Sequence, residues 1–250
     1  MSIAIIIPCY NEETRLPLTK FAAFIENNPH VYFCFVNDGS TDHTSQLLHD
    51  FCQRFTSSVE VIDLIQNQGK AEAIRQGVQQ LVNKEFPLIG FWDADLATPL
   101  EEINTFVNFY NKNPHFQFIM GNRHLRLGVC VRRRKSRHYL GRIFATAISI
   151  SLRMPVYDSQ CGAKIFTSNL AREIFREKFI SRWFFDVELL FRIKKTTLFQ
   201  ENENIIYELP LDTWHDVGGT KLKIKDFFLA PWELIKINCY YRLCSLFKNP

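Results

Sequence analysis

The chain has 250 residues, 46% of them hydrophobic and 22% charged, with a formal net charge of +4. That size and apolar content suffice to bury one sizeable α/β core, and the mild charge argues against a nucleic-acid partner while fitting a local basic patch that meets phosphate or an anionic membrane. The seven cysteines, at positions 9, 34, 52, 130, 161, 239 and 244, form no Cys-x-x-Cys pair; this odd, scattered set argues against a structural zinc site or a disulfide framework and fits a reducing cytoplasm.

The first apolar run, Ile3-Ala4-Ile5-Ile6-Ile7, has no basic residues before it and is too short for a signal peptide, so it reads as a buried strand. Further short runs rich in β-branched and aromatic residues lie at 31–36, 59–65, 88–92 and 116–120. Between them, Leu47, Leu48, Phe51 and Phe55, then Ile74, Val78, Leu81 and Val82, then Ile103, Phe106, Val107 and Tyr110 each fall on one face at helical spacing. The alternation predicts an α/β fold with a mostly parallel central sheet, helices on both faces and right-handed crossovers. Ligands of such sheets bind beyond the carboxyl ends of the strands.

Polar motifs stand at those ends. The first strand runs into Pro8-Cys9-Tyr10-Asn11-Glu12-Glu13, the second into Asn37-Asp38-Gly39-Ser40-Thr41-Asp42, the third into Asn67-Gln68-Gly69-Lys70 and the fourth into Asp93-Ala94-Asp95. Ser40 or Thr41 is expected to cap the following helix, as is Asp42, whereas Asp38 at the strand tip reads as a ligand-binding residue. Two carboxylates one residue apart, Asp93 and Asp95, can share a divalent cation and a diphosphate; carboxylate oxygens suit Mg²⁺ or Mn²⁺, which fill their remaining positions with water and phosphate. Taken alone, the pair reads more readily as a solvated strand end with a turn; four polar loops converging on one rim make it a nucleotide-sugar site.

Beyond residue 122 the alternation fades into a basic segment: Arg123, Arg126, Arg132, Arg133, Arg134, Lys135, Arg137 and Arg142, interleaved with Leu125, Leu127, Val129 and Val131. It reads as a phosphate-gripping loop leading into a helix around 143–152. The chain divides into a domain over 1–225 and an aromatic, amphipathic helix over 226–250, which suits either a membrane interface or a closing helix packed on the sheet. Pro231 is expected to kink or start that helix. No run of about 18 apolar residues is present for a transmembrane span.

Together these motifs resemble the family 2 glycosyltransferases of GT-A fold, and within them the polyprenyl-phosphate sugar synthases typified by dolichyl-phosphate glucose and mannose synthases. Besides the four loops, the resemblance is carried by Gly121-Asn122-Arg123, Asp158-Ser159-Gln160-Cys161-Gly162-Ala163-Lys164 and Trp183-Phe184-Phe185-Asp186-Val187-Glu188-Leu189-Leu190. The last two are most similar to the glucose branch.

The resemblance implies that Pro8, Tyr10, Glu12, Asp38 and Lys70 shape the nucleotide pocket and that Asp93 and Asp95 hold the donor diphosphate and the metal. It further implies that Arg123 and Arg137 grip an acceptor phosphate, while Asp158 orients the sugar or, for a hydroxyl acceptor, acts as a base. Asp158 reads equally as a turn cap. Asp186 and Glu188, with Trp183 before them, are similar to the wall of the family's sugar pocket. Trp214 and Lys221 resemble the ends of a loop that closes over the donor, with His215 as a further candidate metal ligand. The implied activity is inverting transfer of a hexose, glucose from UDP-glucose, to a polyprenyl phosphate at the cytoplasmic membrane face by a peripherally attached protein. Two alternatives stay open: transfer to a glycan or protein hydroxyl, and a non-catalytic nucleotide-binding or membrane-interaction module. Mannose-type relatives place glutamine where Ala97 stands, so water or another residue must complete the metal shell.

Overall fold

A computed structural model of the chain describes the backbone of residues 1–123, 130–132, 135–182, 184–215, 217 and 224–246, and their side chains except at 130–132, 135–143, 224–228, 230 and 243–246. The amino-terminal part alternates as expected: β1 (Ile3–Cys9), α1 (Leu18–Asn27), β2 (Val31–Asn37), α2 (Thr44–Arg54), β3 (Val59–Asp63), α3 (Lys70–Leu81) and β4 (Leu88–Phe91). β1 lies parallel to β2 and β4, and β2 parallel to β3. Pro8 is tolerated in this central strand because Trp92 N–H donates to Ile6 on the β4 side and β4 then ends. The N–H that Pro8 lacks therefore faces no strand. β3 is shorter than predicted: it stops at Asp63, and Ile65 is fully exposed.

The second half departs from simple alternation. It contains α4 (Glu102–Lys112), β5 (Phe118–Asn122), β6 (Cys130–Arg132), α5 (Lys135–Leu152), β7 (Lys164–Thr167), α6 (Ser168–Ile174), α7 (Phe185–Ile193), α8 (Thr197–Glu201), β8 (Ile206–Pro210), β9 (Thr213–His215) and α9 (Ile224–Leu246). The described strands form a seven-stranded sheet in the order β3-β2-β1-β4-β7-β5-β8, with β6 and β9 as a separate parallel pair. β7 is antiparallel to both β4 and β5. Its four residues begin with a lysine, which gave no strand pattern to read in the sequence.

Successive residues of β1 point to opposite faces. Ile3, Ile5 and Ile7 join Phe33 and Phe35 of β2 under α1, α2 and α4, where the Phe21 ring stands edge-on to Phe33 and Phe35 at 5.3 and 5.1 Å. Ala4 and Ile6 join Val36 and Ile89 on the other face, covered by Ile74 and Val78 of α3, Leu170 of α6 and Leu189 of α7. Both faces of the sheet are thus core.

α9 begins two residues ahead of the expected boundary at 226, within the usual variation of helix ends. It also begins ahead of Pro231, so the proline does not start it; the backbone bond that the ring removes is offset by the packing of Leu234, Ile237 and Tyr241 on the core. Glu188, fully buried on α7, anchors this packing. Its carboxylate accepts from the Ile180 and Ser181 backbone, from Arg192 at 2.8 Å and from the Tyr241 hydroxyl at 2.9 Å. Glu188 is therefore a scaffold residue; the sugar-pocket wall implied by resemblance does not extend to it, because both carboxylate oxygens are used inside the fold. Removing one partner of such a buried network strands the others. Glu188→Ala is expected to lower the free energy of unfolding by about 3–5 kcal/mol, read from urea denaturation, whereas Tyr241→Phe costs about 1 kcal/mol.

Candidate active site

The rim of the parallel strands is held together by the polar groups that the motifs supply. Asp38 accepts from Gln68 N–H at 2.7 Å, Gly69 N–H at 2.8 Å and the Asn67 amide at 2.9 Å. It thereby ties the end of β2 to the loop before α3. Burial lifts its carboxyl above the ordinary range despite these donors. Gly39, at φ +64°, permits the approach: a Cβ there would lie 2.4 Å from the Gln66 carbonyl carbon.

The N-cap of α2 is His43, which makes no side-chain cap, and Asp42 holds the helix start from one residue before it, accepting from both Thr44 N–H and Thr44 Oγ1. Ser40 and Thr41 do not cap the helix. Ser40 Oγ accepts from Asn11 N–H and Thr41 N–H donates to Asn11 Oδ1, because the chain needs these groups to join the first two loops. Glu12 is buried beside them; its N–H donates to Thr44 Oγ1 and its carboxylate lies 3.7 Å from Arg15. Pro8 and Tyr10 are partly exposed at the same rim.

Asp93 and Asp95 follow β4 on a pinned turn. Asp95 Oδ1 accepts from Ala97 N–H at 3.0 Å, Ala97 C=O accepts from His215 N–H at 2.9 Å, and the Trp92 indole donates to Thr98 C=O. Leu96, buried, takes φ +52°, a conformation uncommon for a leucine and characteristic of functional turns. Lys70, the first residue of α3, forms an ion pair with Asp93. Burial alone would raise Asp93, but the charge and hydrogen bond of Lys70, with further help from Arg123 and Lys164, hold it below the ordinary carboxylate range. Asp95 is lifted above that range, by burial first and by repulsion from Asp93 second.

Two carboxylates close enough to repel one another are a fitting pair for a hard divalent cation. Among the described residues no group of three His, Cys, Asp or Glu side chains could hold a metal, so Asp93 and Asp95 would leave most positions to phosphate and water. β9 brings the backbone of His215 beside Ala97, with its side chain exposed, without making such a group.

The turn before β7 presses on this corner. A Cβ at Gly162 would lie 1.8 Å from Asp93 Oδ2. Lys164, fully buried, donates to Cys161 C=O at 2.6 Å and to Asp186 Oδ1 at 2.7 Å. The Cys161 thiol is pushed up to about 11 by burial. On the same turn Asp158 receives Arg123 through backbone N–H, Nε and Nη2 at 2.9, 2.7 and 2.6 Å. Although burial disfavours its charge, the Asp158 carboxylate keeps the Arg123 guanidinium firmly protonated. The buried Trp214 ring lies beneath Arg123 at 5.5 Å, so its link to the site runs through that guanidinium. Asp158 is thus an orienter of Arg123, held in turn by Glu208, which accepts from Tyr157 and Asp158 N–H.

Three contributors escaped the sequence reading of individual roles: Gly162, Lys164 and Arg182, which donates to Asn67 Oδ1 at 3.0 Å and lies over Gly69. The first two stand in a recognised motif, but their partners are distant in sequence. Arg137 falls in the first turn of α5 with its side chain outside the described residues, and Trp183 and Lys221 also lie outside them.

Gly162→Ala is expected to destabilise the fold by about 1–3 kcal/mol in urea denaturation. Adding Asp93→Ala to it should recover most of that loss, since the collision is with the Asp93 carboxylate; additivity of the two changes would refute the contact.

The glycosyl transferase family 2 model matches residues 4–175. The chain is 29% identical to a Trichomonas vaginalis dolichyl-phosphate beta-glucosyltransferase over 96% of its own length and 74% of the relative's, and 31% identical to the human dolichyl-phosphate beta-glucosyltransferase over 88% and 69%. In fold it resembles Mycobacterium tuberculosis glucosyl-3-phosphoglycerate synthase, crystallised with Mn²⁺ and UDP-glucose, with a TM-score of 0.67 at 14% identity over 96% of this chain and 78% of that one. The α/β sheet flanked by helices is accordingly a GT-A fold. With its acidic corner at the end of β4 and the matched model spanning β1 to α6, the chain belongs to glycosyl transferase family 2 and is a glycosyltransferase similar to the dolichyl-phosphate beta-glucosyltransferases.

Proposed function

We propose that the protein transfers glucose from UDP-glucose to a dolichyl or other polyprenyl phosphate, with inversion at the anomeric carbon. The observation that carries this reading is the Arg123–Asp158 fork, built on the same turn whose Gly162 abuts Asp93. It sets a half-buried guanidinium on the acceptor side of the acidic corner. The Asp158 carboxylate takes Nε and Nη2, and Nη1 of the five-donor fork is the group through which an acceptor phosphate would be met. A carboxylate committed to an arginine is poorly placed to deprotonate a hydroxyl, which favours a phosphate acceptor over a sugar or protein hydroxyl. A phosphate is already anionic at neutral pH and requires positioning and charge compensation more than a base.

In this reading Asp38 and the Pro8–Glu12 loop face the nucleoside, and Lys70 faces the diphosphate. Asp93 and Asp95 would hold Mg²⁺ or Mn²⁺, which when bound neutralises charge on the departing diphosphate. An acceptor phosphate oxygen attacks the anomeric carbon as the bond to the donor's β-phosphate breaks, and UDP leaves. Arg123 and Arg137 orient that oxygen opposite the leaving group, so an α-linked donor yields a β-linked product. Names of similar proteins support the acceptor class, and the Mn²⁺ and UDP-glucose of the M. tuberculosis enzyme support the donor side.

Such an acceptor lies in a membrane, and α9 offers a surface for one. Leu229, Trp232, Ile235 and Tyr240 are 55, 66, 53 and 50% exposed, with Trp232 and Ile235 turned away from buried Ile237 and Lys236 exposed among them. An aromatic and basic helix face of this kind suits the headgroup region of an anionic bilayer. Among the described residues no helix is long and apolar enough to cross one.

The test is to incubate the purified protein with Mn²⁺ or Mg²⁺, a panel of nucleotide sugars and polyprenyl phosphate, measuring released nucleoside diphosphate and extractable lipid-linked sugar. Lipid-linked glucose from UDP-glucose is expected; absence of a lipid product with every donor would sink the acceptor assignment. Asp95→Ala should cut turnover at least about a hundredfold with unchanged circular dichroism, while Arg137→Ala should chiefly raise the KM for the lipid phosphate. Trp232→Ser with Ile235→Ser is expected to weaken sedimentation with anionic vesicles while leaving UDP binding intact; unaltered sedimentation would remove α9 from the membrane contact.

A further inference from the structure

Three ion pairs surround the acidic corner: Lys70 with Asp93, Lys164 with Asp186 and Arg123 with Asp158. Each pair is balanced. Asp95 is the carboxylate left without an ion pair among the described residues of this corner, so the ligand-free site carries about one net negative charge rather than the two or more that a divalent cation would meet at a bare acidic cluster. Lys70 is the most exposed cation of the set. Lys164 is entirely buried and Arg123 is forked onto Asp158, whereas the Lys70 and Asp93 side chains are each 37% exposed. A lysine ammonium is a point charge on a flexible four-carbon stem and can change partners without rebuilding a planar fork.

The position of Lys70 supplies a second partner. It opens α3, a twelve-residue helix whose amino terminus favours anions, and its ammonium lies 5.9 Å from the ring centres of both Phe91 and Phe185. Those rings hold the cation close to the corner. Asp93, Asp186 and Asp95 together keep it protonated despite its surroundings.

Building on the donor-site reading above, we propose that Lys70 acts as an internal counter-ion standing in for the divalent metal on Asp93, so that metal binds tightly only together with a diphosphate that draws Lys70 away. Without nucleotide, an incoming cation must compete with an ammonium already paired to Asp93. With a nucleoside diphosphate present, the new anionic oxygens accept Lys70, Asp93 is released, and the two or three added negative charges balance the metal. Metal and donor are then coupled ligands, each raising the other's affinity by the same factor. Free metal would not accumulate on the site, and donor lacking metal would meet Lys70 alone.

The coupling is read by titrating Mn²⁺ into the full chain, following free Mn²⁺ by electron paramagnetic resonance, with and without saturating UDP, for the wild type and for Lys70→Met. UDP is expected to tighten Mn²⁺ binding to the wild type about tenfold or more. Lys70→Met should bind Mn²⁺ without nucleotide about tenfold more tightly than the wild type, and its gain from UDP should shrink. Equal or weaker Mn²⁺ binding by a folded Lys70→Met chain would overturn the counter-ion role while leaving the donor site standing. Should that variant fold poorly, the wild type still decides: Mn²⁺ affinity that is the same with and without bound UDP refutes the coupling. If UDP does not bind the wild type at any Mn²⁺ concentration, the donor-site reading itself falls, and the diphosphate half of the proposal with it.

Discussion

Asp93 sits where the two halves of the chain meet, and its contact with Gly162 is the constraint on which the site depends. The parallel half brings Asp93 to the end of β4. The second half returns through β7, antiparallel and directly hydrogen-bonded to β4, so that the turn before β7 reaches the same corner from the other side. With no side chain at Gly162, that turn closes onto the carboxylate. The distance between the polar loops of the parallel half and the Arg123–Asp158 fork is therefore set by the pairing of two strands. This is the rigid support that a transfer between two bound substrates requires.

Charge is buried beneath this corner in closed pairs. Lys164 is wholly inside the fold, yet it has Asp186, the Cys161 carbonyl and the Phe91 ring at 5.2 Å as partners. An isolated ammonium there would be prohibitive, whereas a paired and hydrogen-bonded one fixes geometry at modest net cost. The pair joins α7 to the turn that abuts Asp93. Glu188, two residues further along α7, does the same on the far side of the helix, gathering Arg192 and Tyr241. Position in one motif thus assigns Asp186 and Glu188 to different tasks: one underlies the site and the other anchors α9.

α9 shows why an aromatic-rich segment resists assignment to either core or membrane. Ile237 and Tyr241 face inward, where Asn238 also donates to Ser151, while Trp232, Ile235 and Tyr240 face out. A helix that is apolar on most of its circumference has no single hydrophobic side to read, and both alternatives describe part of it. Only the packing separates the faces.

Much of the fold was legible in the order of residues. Near-continuous apolar runs and the helical stripes between them reflect local burial, and they located β1 to β5 together with α2, α3 and α4. The polar loops were legible for the same reason: parallel strands end on one side, so motifs at strand ends share a rim wherever the helices return the chain. Partners remote in sequence were not legible. β7 is short and begins with a charged residue, so its place between β4 and β5 is decided by pairing and not by propensity. That Gly162 abuts Asp93, that Lys164 pairs with Asp186, and that Asp158 holds Arg123 are consequences of this one antiparallel strand. The sequence by itself determined which chemical groups gather at the ends of the strands, because local patterning specifies elements. Tertiary structure alone decided which charge faces which, because contacts across many residues depend on the register in which those elements meet.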